Sequence, residues 1–110
     1  MEYMVKKASQ KGYVKVVDGI TRKTLVYGNS TLMAEFRLEK GSTLPSHKHP
    51  HEQTGYLVSG HMVLTIAGEP HDVKAGDSWA IPGNVEHGAG VIEDSVAVEV
   101  FSPAREDYKT

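Results

Sequence analysis

The segment Gly41-Ser42-Thr43-Leu44-Pro45-Ser46-His47-Lys48-His49-Pro50-His51-Glu52-Gln53 decides how the rest of this chain is read. It places His47 and His49 two residues apart, and side chains two apart on an extended strand project to one side. Gln53 keeps that parity if the strand continues past Pro50. Further along, Gly76-Asp77-Ser78-Trp79-Ala80-Ile81-Pro82-Gly83-Asn84-Val85-Glu86-His87 supplies a third imidazole. If a return strand carries His87 across, three imidazoles and one amide oxygen share a wall. Such a donor set suits one divalent transition metal ion, whether nickel, zinc, iron, manganese or copper. The remaining histidines, His51, His61 and His71, read as solvated loop residues.

Working outward, strands and turns fill the chain. Leu32 to Leu38 alternates apolar and polar or flexible positions with period two, the mark of a half-buried strand. Gln53 to Val58 and Met62 to Ile66 read as a hairpin through Ser59-Gly60-His61. His71 to Lys74 and Ser78 to Ile81 are shorter strands, separated by a turn at Ala75-Gly76-Asp77. His87 to Ile92 and Ser95 to Phe101 follow, with Glu93-Asp94 as the turn between them. No window of helical periodicity competes. Short strands at regular spacing, with 11 glycines and five prolines, predict an all-β barrel or sandwich.

Composition narrows the function classes. A chain of 110 residues is one domain. A net charge of -2 without a basic run argues against nucleic acid as a partner. No apolar stretch approaches the roughly 20 residues that span a bilayer, and the N-terminus lacks a signal peptide's apolar core. With zero cysteines there is no disulfide scaffold and no thiolate ligand. The expectation is a cytoplasmic protein with no membrane partner.

The two histidine segments together resemble the paired motifs of the cupins, small jelly-roll barrels that hold a metal in the barrel mouth. Gly41, His47, His49 and Gly60 fall on positions of the first motif, with Gln53 in place of its usual glutamate. Gly76, Pro82 and His87 fall on the second, with Asn84 and Val91 replacing a glycine and an asparagine. The resemblance covers Gly41 to Phe101 and implies a single cupin domain over residues 1–110. Within it, residues 31–103 form the barrel with both metal motifs, and 1–30 provide N-terminal strands. Glutamine at 53 leaves the metal's charge undiminished, which makes it a stronger Lewis acid toward a bound carboxylate or hydroxyl.

A narrower resemblance extends to the C-terminus. His47 to Gln53 with Gly55-Tyr56, Ile81 to Val85 before His87, and Val100-Phe101-Ser102-Pro103 with Arg105-Glu106-Asp107-Tyr108 are similar to the pectin-degradation cupins. Those proteins convert 4,5-unsaturated uronate monosaccharides, released by pectate or alginate lyases, into linear 5-keto-4-deoxyuronate. Carried over by position, the resemblance implies substrate contact by Glu99, Phe101 and Arg105, with Glu99 standing where the family usually has aspartate. It implies Glu99 and Arg105 as catalytic groups, a sugar acid as substrate and an isomerisation without an organic cofactor. Alternation agrees, since Ala97, Glu99 and Phe101 share one face of their strand while Val96, Val98 and Val100 share the other. Arginine also suits bidentate carboxylate recognition.

Two other readings stay open. One is a different metal-dependent cupin enzyme such as a polyketide cyclase, which a large apolar pocket would favour; Trp79, Tyr56 and Phe101 are the evident pocket aromatics. The other is a non-enzymatic sugar-binding cupin. Small single-domain cupins commonly form two-fold dimers by exchanging N-terminal strands. Tyr13 to Val17 and Thr24 to Tyr27 are strand-like and apolar enough to need a partner, so a homodimer is expected.

Overall fold

Period-two alternation organises the chain into eight strands, seen in a computed structural model that describes residues 2–109. In chain order they are β1 (Val14–Val17), β2 (Ile20–Tyr27), β3 (Leu32–Leu38), β4 (Thr43–His47), β5 (Glu52–Ile66), β6 (Glu69–Lys74), β7 (Ser78–Ile81) and β8 (His87–Ser102). A 3-10 turn at Glu106–Tyr108 follows. The all-β expectation holds. β3 shows its origin most plainly: Leu32, Ala34, Phe36 and Leu38 are buried while Met33 and Arg37 are exposed.

Two predicted turns are corrected. Ser59-Gly60-His61 does not reverse the chain, because β5 runs unbroken through 15 residues. Gly60 takes φ 100°, a side chain there would collide with Ser95, and the register with β8 slips on both sides of it. The glycine serves a bulge, which bends and twists a strand without ending it. Glu93-Asp94 likewise lies inside β8, which continues for 16 residues.

The two bends lie opposite each other, with Ser59 facing Val96 and His61 facing Glu93. Two layers therefore share the same two long strands. One layer runs β1, β2, β3, the second half of β8, the first half of β5 and β7. The other runs β4, the first half of β8, the second half of β5 and β6. Between them lies a core that includes Ile20, Leu32, Phe36, Leu57, Leu64 and Phe101.

β1 and β2 extend the chain's own sheet through β3, and β1 is one of its edge strands. Ahead of β1, Tyr3, Met4 and Val5 are exposed.

Candidate metal centre

Antiparallel pairing sets His47 of β4 directly opposite His87 of β8, and their rings lie 4.3 Å apart between centroids. The return strand expected from the sequence is therefore present. The single continuous strand is not: β4 ends at His47, so His49 reaches the cluster from the following loop and Gln53 from β5. That loop is anchored where the Asn84 amide donates to the His49 carbonyl at 2.7 Å. The His49 ring lies 5.8 Å from that of His47 and 5.1 Å from that of His87. One ligating nitrogen from each of the three histidines lies within 4.8 Å of the others.

Hydrogen bonds decide which ring nitrogen is free. Nδ1 of His47, His49 and His87 lies 2.9, 3.0 and 2.9 Å from the carbonyls of Pro45, His51 and Val85. A carbonyl only accepts, so each Nδ1 carries the proton and each Nε2 keeps its lone pair. Nε2 of His49 and His87 and Oε1 of Gln53 are buried with no partner. Unpaired buried acceptors are costly, and a cation relieves them. Burial, followed for His49 by the charges of Arg105 and His87, lowers the His49 and His87 pKa values from 6.5 and favours the neutral, ligating form. The cluster could hold one divalent metal, and its chemistry fits one.

Glu99 sits beside this cluster. The Gln53 amide donates to both of its carboxylate oxygens at 2.8 and 2.9 Å, and the Trp79 indole donates to Oε1 at 2.6 Å. Desolvation raises its pKa from 4.5 to about 7, against the lowering effects of Trp79, Gln53 and Arg105. A carboxyl poised near neutrality can both give and take a proton.

Phe101 is buried, with its ring edge-on to His49 at 5.7 Å. Arg105 lies over the rings of Tyr108 at 3.8 Å and Phe101 at 5.1 Å. Its Nη2 and Nε donate to Asp107 at 2.7 and 3.2 Å. Among the described residues its Nη1 makes no hydrogen bond.

A cavity of about 300 Å³ joins these groups, lined by His47, Gln53, His87, Glu99, Phe101 and Arg105. Its remaining wall is apolar, with Val17, Phe36, Leu38, Leu44, Met62, Leu64, Ala89 and Ala97. Sequence reasoning missed Phe36 and Tyr108 as lining aromatics. It also expected Tyr56 there, which is 51% exposed. Only the pairing of β3 with β8 could have revealed Phe36. His51 is not a solvated residue: its ring lies tilted against that of His49, 5.5 Å away between centroids, and its Nδ1 is buried. His61 lies within β5 and meets Asp72 at 2.5 Å, whereas His71 is exposed on β6.

Comparison with known proteins follows the same lines. A family model described as "Cupin domain" matches residues 34–102. The pectin degradation protein KdgF of Dickeya dadantii is 34% identical over 93 residues, spanning 83% of this chain and 84% of that relative. The solved structure of KdgF from a Halomonas species superposes with a TM-score of 0.84 at 30% identity, covering 89% of this chain and 91% of the other. An RmlC-like cupin from Shewanella frigidimarina gives 0.88 at 27% identity, over 96% of both chains. This chain belongs to the cupin family and is similar to its pectin-degradation members.

Proposed function

We propose that this protein converts 4,5-unsaturated uronate monosaccharides into linear 5-keto-4-deoxyuronate, at one divalent metal held by His47, His49, Gln53 and His87. One observation supports this above the others. Glu99, Phe101 and Arg105 line the same cavity as His47, Gln53 and His87, in a chain similar to a pectin degradation protein.

When bound, the metal supplies Lewis-acid polarisation of the substrate's carboxylate and a neighbouring oxygen. The chain's own residues do the rest. Arg105, held in place by Asp107, offers its unused Nη1 to the carboxylate. Phe101 gives the sugar an apolar face to rest on. Glu99 moves the proton as the hemiacetal opens and the enol becomes a ketone protonated at C4, help typically worth about a hundredfold to ten-thousandfold.

The test is to add purified protein to unsaturated monouronate freshly released by a lyase and follow loss of the enol-ether absorbance. Loss above the spontaneous rate is expected, with the rate near background in Glu99→Gln at saturating metal. Full turnover by Glu99→Gln would remove its role.

The apolar half of the cavity favours a second reading, a metal-dependent cupin reaction on a more apolar substrate. Protein that carries metal but leaves the monouronate at its spontaneous rate would favour it.

A further inference from the structure

Gly55 stands between Trp79 and Glu99 in one row across three strands: Trp79 of β7 faces Gly55 of β5, which faces Glu99 of β8. A side chain at 55 would occupy the place of the indole ring. Without one, Trp79 lies across β5 and donates to Glu99 Oε1 at 2.6 Å. Glu99 also receives the Gln53 amide, whose Nε2 is 2.8 and 2.9 Å from its two oxygens. The nitrogen and oxygen of an amide are opposite corners of one planar group. Holding the nitrogen on Glu99 therefore turns the oxygen away, and Oε1 is the atom left buried without a partner. A glutamate at 53 would instead set two carboxyl groups at hydrogen-bond distance, an arrangement that disfavours both being ionised together.

We propose that Gln53 and Glu99 form one charge-coupled pair, in which Glu99, held by Trp79 across Gly55, aims the Gln53 oxygen at the metal and dictates a neutral ligand at position 53. The inference rests on Gln53 being a metal ligand and adds the reason for its identity. Trp79 is then a positioning residue, and Glu99 positions the ligand besides its proposed proton transfer. The pair is also reversible by design of its hydrogen bonds. With glutamine at 99 and glutamate at 53, the donor sits on β8 and the acceptor on β5, and position 53 still presents an oxygen.

Metal-free protein titrated with cobalt(II), read by its visible absorption band, gives the dissociation constant of each variant. Glu99→Gln sets one amide NH2 against another and weakens cobalt by about tenfold, a loss typical of groups that orient a metal ligand. The double exchange Gln53→Glu with Glu99→Gln binds at least about tenfold more tightly than the two single effects multiplied together predict. Single effects that multiply to the double within about twofold overturn the pair. Gln53→Ala separates this from the underlying reading. An unchanged constant there removes Gln53 as a ligand and the pair with it, whereas a weakened constant with multiplicative singles removes the pair alone. Should the double exchange not fold, Trp79→Phe decides: several-fold weaker cobalt with an altered band is expected, and an unchanged constant and band overturn the proposal.

Discussion

Glu99 is held by two opposing influences, burial that favours its neutral form and three N–H···O contacts that favour its anion. In the metal-free protein its pKa stands at about 7 against 4.5 for an unburied glutamate. A group raised on folding adds stability below its unfolded value and loses it as pH rises through the folded value. The melting-temperature advantage of metal-free wild type over Glu99→Gln should therefore grow as pH falls from about 7 to about 4.5. A pH-independent difference would mean that Glu99 is ionised throughout. Gly55→Ala should drive Trp79 off this carboxylate, costing about 1–3 kcal/mol in urea unfolding and shifting tryptophan fluorescence. Unchanged fluorescence would contradict the row of contacts. At this scale the grouping of the three histidines with Gln53 was legible from spacing, whereas Phe101 and Arg105 were marked by the family resemblance, and the structure places all of them around one site. The contact of Trp79 with Glu99 across Gly55 was not legible. It depends on the mutual register of three strands, which no local stretch encodes.

Strands were legible where alternation is regular, as in β3, because burial on one face imposes period two directly. The two long strands were not, since a glycine in a bulge and a glycine in a tight turn carry the same local signature. Gly60 makes the difference testable. It holds a positive φ and faces Ser95 too closely for a side chain. Gly60→Ala should cost about 1–3 kcal/mol in urea unfolding, as strained backbone does. A cost below about 0.5 kcal/mol, within the range of ordinary surface changes, would mean that the bend does not need glycine. The loop from β4 to β5 teaches a related lesson: His49 and Gln53 reach the cluster from a loop and a second strand, so one uninterrupted wall was the wrong picture of how these residues come together.

At the scale of the molecule, the barrel leaves β1 as an edge strand of its sheet, with Tyr3, Met4 and Val5 exposed ahead of it. An open edge with apolar residues beside it is a template for pairing, and a two-fold dimer would cover both. Light scattering at micromolar concentration should give about twice the single-chain mass of 12.0 kDa. A mass near 12.0 kDa would mean that the edge stays uncovered. The central claim, that His47, His49, Gln53 and His87 hold one working metal, meets its most direct test in elemental analysis paired with the rate on unsaturated monouronate in the same samples. Wild type should carry about one equivalent of a divalent transition metal. His47→Ala and His87→Ala should lose most of both metal and rate, and Gln53→Ala should lose less metal, because water can replace an amide oxygen. Equal metal content in all four proteins, or full rate from metal-free wild type, would contradict the account.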